Sequence, residues 1–349
     1  MPPTIYDIAR EAKVGIGTVS RVLNNHPSVS EDTRARVLRV ASRLNYRPHP
    51  YARGLASSRT NAILAVIPFF TTFFFHEIFQ GVQARLRHLD WDIILYGVNH
   101  PDQVEASLRH NVLRNRVDGV LFFSMKMPER FAEQYLDQKT PIVLVDAYHK
   151  NFDSLTVDNL QGGYAATRHL LSLGHKRVGM LSANIESLPA RDRLSGFKQA
   201  LAEAGIPVDP SLIKSSASPK PDGFAHESGH AMMRQFLDMG SRKPTALVVS
   251  SDIQAVGALA ALKEAGLRCP DDIALVGFDD IELAQHLGLT TIHQPMYEMG
   301  VLAAEILSER LHNPSQEITH KLFVPKLIVR ETCGSEVSKR PATVEKHTA

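Results

Sequence analysis

From Asn61 onward the chain alternates short, apolar, β-branched runs with amphipathic stretches, and this pattern constrains its fold more than any other feature. AILAVIPFF precedes HEIFQGVQARLRHLD, and DIILYGV precedes a polar helical stretch near 102–114. VDGVLFFS, PIVLVD, KRVGMLSA, TALVVSS and DIALVGFDD follow, interleaved with helical segments such as RLSGFKQALAEAG and DIQAVGALAALKEAG. Strands that are apolar on both faces must be covered on both faces, and parallel strands need a crossover between them. The expected body is therefore α/β, with parallel sheets between layers of helix. Its length suits two lobes better than one sheet. No period of repeat-protein type stands out.

The first sixty residues break the pattern. In TIYDIAREAKVGIGTVSRVLN, Thr4 can cap a helix, Asp7 can reach back to the freed amide, and Ile5, Ile8, Ala9 and Ala12 form one apolar stripe. Val14 and Gly15 make a turn. Val19, Val22 and Leu23 then give a second helix its buried side, leaving Ile16, Gly17, Ser20 and Arg21 outward. From these residues alone the pair reads equally well as a groove-reading device or as an ordinary helical hairpin. A third helix from the Ser30 cap to about Leu44 turns Val37, Val40, Ala41 and Leu44 inward and Arg34, Arg36, Arg39 and Arg43 mostly outward. Residues 1–60 hold ten Lys and Arg against four Asp and Glu, a net of +6. The remaining 29 basic and 33 acidic residues give −4. A basic head on a mildly acidic body has the charge distribution that phosphate binding requires.

The run from Thr4 to Thr60 resembles the DNA-binding head and hinge of the lactose-repressor (LacI) family of bacterial transcription regulators, over its whole length and without gaps. The resemblance implies an all-α helix-turn-helix head at 1–47 whose second helix lies in the major groove. Ile16, Gly17 and Thr18 would open the reading face and Arg21 would read a base edge. Thr4, Ser20, Asn24, Ser30, Thr33 and Tyr46 stand at phosphate-contact positions. Gly17 has no side chain and Ile16 offers only apolar contact, so direct readout rests on Arg21. Residues 48–60, PHPYARGLASSRT, correspond to the hinge. So short a stretch, carrying Gly54, is a weak helix unless supported. In the family the minor groove and a second subunit support it, with Ala52 and Leu55 against DNA and Leu55 wedged between base pairs. An exposed linker leucine is the plainer alternative.

The body also resembles the family, whose effector domain has the two-lobed periplasmic-binding-protein fold. PTALVVSSDIQAVGALAALKEAGLRCPDDIALVGFDD and TTIHQP are especially close to its pattern. The implied effector and dimerisation domain spans 61–331, with an N-lobe of about 61–159 and 293–324 and a C-lobe of about 160–292 and 325–331. A disordered tail would follow at 332–349. Ligands in this fold sit between the lobes, at the carboxyl ends of the strands. Asp279 just after the strand DIALVGF and Arg193 at the start of a helix stand at strand-to-helix transitions, and together with the resemblance they read as charged contacts. Asp146 ends the strand PIVLVD and Asp158 begins the next helical stretch, so either can accept from hydroxyls. The resemblance places Phe74, Phe75 and Phe224 as aromatic contacts. Gln294 is a contact or a hinge residue. Ser251 stands where some members carry Asn, a shorter reach that weakens any transfer of the lactose repressor's own ligand. Phe69 and Phe70 read as core.

Other classes find little support. No apolar run approaches the ~18 residues of a membrane span and the start lacks a signal-peptide core, which points to a soluble, cytoplasmic, nucleoid-associated protein. Cys269 and Cys333 suit neither a disulfide framework nor a zinc motif. His226 and His230 are four apart on one helix but lack a third ligand. GIGTVS follows a helix rather than a strand, unlike a phosphate loop, and no nucleophile elbow or HExxH helix is present. The expectation is a non-enzyme without metal or cofactor: a homodimeric repressor on a palindromic operator, switched by a small molecule. A sugar fits best and a nucleoside or purine second. The alternative is a catabolite-control-type regulator whose coregulator is a phosphorylated carrier protein.

Overall fold

The computed structural model describes residues 3–23, 26–46, 60–68, 73–87, 91–98, 101–111, 116–135, 140–216 and 223–335. Asn24, Ala52, Leu55, Phe69, Phe70 and the chain beyond 335 lie outside the described residues. The head is a three-helix unit of α1 (Ile5–Ala12), α2 (Ile16–Leu23) and α3 (Glu31–Arg43). Asp7 accepts hydrogen bonds from the Thr4 amide (2.9 Å) and hydroxyl (2.7 Å), which fixes the start of α1. Ile8, Ala9 and Ala12 pack with Val19 and Val22 of α2 and with Val37, Val40 and Ala41 of α3. Arg43 pairs with Glu11, tying α3 to α1.

The first lobe begins β1 (Ala62–Ile67), α4 (Phe73–Leu86), β2 (Asp92–Gly97), α5 (Pro101–Asn111), β3 (Gly119–Phe123), α6 (Glu129–Tyr135), β4 (Ile142–Val145) and β5 (Asp153–Val157). The second holds α7 (Asn159–Ser172), β6 (Val178–Ser182), α8 (Leu188–Glu203), β7 (Ile213–Ser215), α9 (His226–Leu237), β8 (Ala246–Val249), α10 (Asp252–Glu264), β9 (Ala274–Asp279), α11 (Glu282–His286) and β10 (Thr291–His293). The chain then returns to the first lobe as α12 (Met296–His312), which packs on α4, and as β11 (His320–Phe323). It ends in the second lobe with β12 (Lys326–Ile328). The sheet orders are β11-β5-β4-β3-β1-β2 and β12-β10-β9-β8-β6-β7.

Pairing is parallel throughout except for β10 with β12. That exception departs from the all-parallel expectation. β12 is reached from β11 of the other sheet through Val324 and Pro325, so no helical crossover within its own sheet sets its direction. The central strands β1, β3, β4, β6, β8 and β9 are buried along their whole length, which accounts for their unbroken apolar sequences. The lobes are thus linked at three crossings: β5 to α7, β10 to α12, and β11 to β12.

One boundary needs correction. The expected tail from 332 begins too early, because Glu331–Cys333 form a 3-10 turn packed on the second lobe. The buried Thr332 hydroxyl donates to the Leu275 carbonyl (2.9 Å) and accepts from the Thr290 amide (2.9 Å), and Cys333 is buried. Among the described residues, no helix is long and apolar enough to cross a membrane.

Candidate functional site

The head presents one face of α2. Ile16 is 43% exposed, Gly17 and Arg21 are exposed, and Thr18 and Ser20 are half-buried beside the buried Val19 and Val22. A Cβ built on Gly17 would lie 3.8 Å from Arg21 Nη2, so the guanidinium folds back over the bare glycine. Ser30 is exposed and its hydroxyl donates to Thr33 Oγ1 (3.0 Å), while Tyr46 packs against the head core. Arg36 and Arg39 are exposed, whereas Arg34 is half-buried and donates to the His26 carbonyl (2.6 Å).

Between the lobes lies a cavity of about 700 Å³, measured out to its open mouth. Asp146, just past β4, and Asp279, the last residue of β9, enter it from the two sheets. Arg193, 4% exposed in the second turn of α8, lies between them. Its Nε donates to Asn159 Oδ1 (2.8 Å), and Nη1 donates to the Ser250 carbonyl and lies 3.8 Å from Asp279 Oδ1. The guanidinium carbon is 3.6 Å from the Phe278 ring centroid and 5.4 Å from that of Phe224. Phe73 and Phe74 line the same cavity from α4, while Phe75 turns mainly into the core against Phe123.

The carboxyls are held under tension. Burial pushes Asp146 up to about 6, against a hydrogen bond from the Ser124 hydroxyl (2.8 Å) and the charge of Arg193. Asp279 is pushed up to about 7 by burial, opposed by Arg193 and by a bond from Gln294 Nε2 (2.7 Å), with Asp146 adding repulsion. Burial also lowers the pKa of Arg193, and the surrounding aspartates raise it again. An arginine nevertheless stays charged. Behind the wall, buried Asp252 accepts from the amides of Asp280 (2.7 Å) and Ile281 (3.1 Å) and from the Thr291 hydroxyl (2.6 Å). It thereby anchors the turn in which Asp279 and Asp280 adopt φ of 124° and 64°.

Seven of the expected contact residues are brought together here: Phe74, Phe75, Asp146, Arg193, Phe224, Ser251 and Asp279. Two are not. Asp158 caps α7, accepting from the Gln161 amide (2.9 Å), so its carboxylate is committed to the helix end. Gln294 is fully buried behind the wall and orients Asp279. Ser251 caps α10 through the Gln254 amide as well as lining the cavity. Sequence reasoning missed Phe73, Ser124, Ser187, Pro189, Ile253 and Ile281, all of which line it. Ser124 directly follows β3, and the strand-end rule that selected Asp279 would have selected it too.

A basic helical head with an exposed second helix, joined to a two-lobed parallel α/β body around a charged cavity, defines a DNA-binding regulator with a ligand-binding body. Residues 4–49 match the family described as bacterial regulatory proteins, lacI family, and residues 167–333 match the periplasmic binding protein-like domain. The ribose operon repressor of Haemophilus influenzae is 34% identical over 337 residues, covering 95% of this chain and 99% of that protein. Catabolite control protein A of Priestia megaterium is 33% identical over 317 residues, covering 89% and 93%. The lac repressor dimer bound to operator and the anti-inducer ONPF superposes with a TM-score of 0.79 at 26% identity, covering 95% of this chain and 99% of that one. The chain belongs to the LacI family: it is a DNA-binding regulator of the repressor type with a periplasmic-binding-protein-like effector domain.

Proposed function

We propose that this chain is a homodimeric repressor of a palindromic operator, whose DNA affinity is set by a small hydroxyl-rich molecule held between the lobes. A sugar or sugar derivative is favoured over a nucleoside or purine. The observation that carries this reading is the position of Arg193 between Asp279 of its own lobe and Asp146 of the other, beside Phe74 and Phe224. Carboxylates accept from hydroxyls, the guanidinium donates to hydroxyl and ring oxygens, and the phenyl faces cover the C–H face of a ring. Ser124, Ser187 and Ser251 extend the polar contacts, and Gln294 acts through Asp279.

On the head, Ile16, Gly17, Thr18 and Arg21 face the bases, and Thr4, Ser20, Asn24, Ser30, Thr33 and Tyr46 face the backbone. Ala52 and Leu55 of the 48–60 hinge enter the minor groove. A molecule that binds the closed lobes better than the open ones shifts the body between two shapes and so changes the separation of the paired heads. The ribose-operon and operator-bound relatives support this assignment. Thermal-shift screening of sugars, nucleosides and related metabolites, followed by operator titration with each hit at fixed salt, tests it. A stabilising hit that changes operator affinity is the expected result, and hits that leave it unchanged refute the switch. The similarity to catabolite control protein A favours a second reading, a protein coregulator, which an empty screen would bring forward.

A further inference from the structure

Resting on the reading of 48–60 as the hinge to the paired heads, we infer that Asp118 is a positioning residue. It fixes the end of the hinge to the first lobe and so sets the operator half-site spacing that the dimer accepts. Thr60, the last residue of that stretch, and Asn61 lead directly into β1. The Asp118 carboxylate accepts from the Thr60 amide through both oxygens (Oδ1 2.8 Å, Oδ2 3.0 Å) and from the Asn61 amide through Oδ2 (2.7 Å).

The local backbone explains why an acid stands there. Asn61 has a φ of 51°, in the left-handed region, and successive N–H groups at such a turn form a concavity that suits an anion. The carbonyls at this entry are already committed to the flanking strands: Asn61 accepts from the Asp92 amide (2.8 Å) and Ala62 from the Asp118 amide (2.8 Å). The two remaining amides fall to the carboxylate, and bonds to an ionised acceptor are the stronger kind.

The acid itself stands on a rigid support. Directly after it comes β3, buried along its whole length between β1 and β4. Gly119 lets the start of β3 lie against α12, since a Cβ there would be 2.9 Å from Leu307 Cδ1. At the far end Ser124 lines the cavity and donates to Asp146 (2.8 Å). From Asp118 to Ser124 the extended chain spans about 20 Å at ~3.3 Å per residue. A rotation of the first lobe set at the cavity is therefore delivered at Thr60, and the carboxylate keeps Thr60 from turning about Asn61. Released from it, the hinge could turn independently of the lobe, and the heads would accept more than one separation.

The test uses the full-length protein and an operator duplex that the wild type selects from a random-sequence pool, beside the same duplex with a base pair inserted at its centre. Half-site spacing mirrors the separation of the heads, so the insertion should cost the wild type about tenfold or more in affinity. Asp118→Ala should shrink that loss about fivefold or more, with its affinity for random duplex at the same salt within about twofold of wild type. Asp118→Asn keeps one accepting oxygen but turns an N–H toward the amides, and it should fall between. A merely structural role would leave the spacing preference in place. An unchanged insertion loss in folded Asp118→Ala overturns the inference and leaves the paired-head reading intact, whereas a wild type that selects no site or ignores the insertion overturns both. If neither variant folds, amide hydrogen exchange of the wild type decides. The Thr60 and Asn61 amides should exchange slowly, and exchange at the rate of an open-chain amide overturns the clamp.

Discussion

Arg21 lies one turn beyond Gly17, and its guanidinium would lie in van der Waals contact, 3.8 Å away, with a Cβ placed there. On the reading proposed for this face, Ile16 offers only apolar contact and the base-edge hydrogen bonds rest chiefly on Arg21. Arg21→Ala should cost about 1–3 kcal/mol of operator affinity and relax preference at one base pair, read by competition with single-base operator variants. Uniform weakening across all variants would make it a phosphate contact instead. In the body, Asp279 carries a testable linkage. Its folded pKa of about 7 lies above the usual carboxylate value of 3.8, so the folded state binds the proton more tightly than the unfolded one. Protonated Asp279 supports folding at low pH, and that support is lost as pH rises from about 4 toward 7. Asp279→Asn should therefore raise the Tm of the effector-free protein at pH 8, by an amount that shrinks as pH falls through 7 toward 4. A gain that grows on acidification would contradict this.

Helices α7 and α8 cross with their backbones in contact. A Cβ on Gly163 would sit 2.2 Å from the Arg193 carbonyl, and one on Gly196 2.0 Å from the Leu160 carbonyl. This close approach seats the turn of α8 that carries Arg193. Gly163→Ala should push α8 outward, destabilise the body by about 1–3 kcal/mol and weaken effector binding with it. A denaturant midpoint and an effector titration on the same variant read both effects, and a wild-type midpoint would show that the crossing yields without cost. The turn after β9 depends similarly on α10. Asp252→Ala strands the buried Ile281 amide, the half-buried Asp280 amide and a buried threonine hydroxyl, for an expected loss of about 1–3 kcal/mol by the same measurement.

At the scale of the whole molecule, charge and coupling decide behaviour. A head of net +6 on a body of net −4 should give an operator affinity that falls linearly with log salt concentration. If the cavity and the operator are coupled, operator DNA must change effector affinity by the factor by which effector changes operator affinity. Paired titrations at one salt concentration check that equality, and unequal factors would mean that other equilibria intervene. Sedimentation of the full-length protein should give a dimer, and a monomer at operator-binding concentrations would contradict the proposed pairing of heads.

Some of this was legible in the residues alone. Buried parallel strands need apolar runs and amphipathic crossovers, and a groove-binding head needs a concentrated basic surface; both are properties of short stretches, and both can be read in order along the chain. Position after a strand likewise flagged Asp146 and Asp279. Asp158 was flagged at the start of a helix, and it serves as that helix's cap. What separates these three carboxylates is whatever stands opposite each one. Arg193 reaches Asn159, 34 positions away, and Ser250, 57 positions away, so its neighbours come from distant parts of the chain. The buried role of Gln294, the return of β12 in the antiparallel sense and the packing of Thr332 and Cys333 have the same origin. Local periodicity and composition specified the elements and the charge of the head. Which acid faces the cavity, and how far burial shifts its proton, was decided by long-range packing, because desolvation depends on the groups that surround a side chain in space.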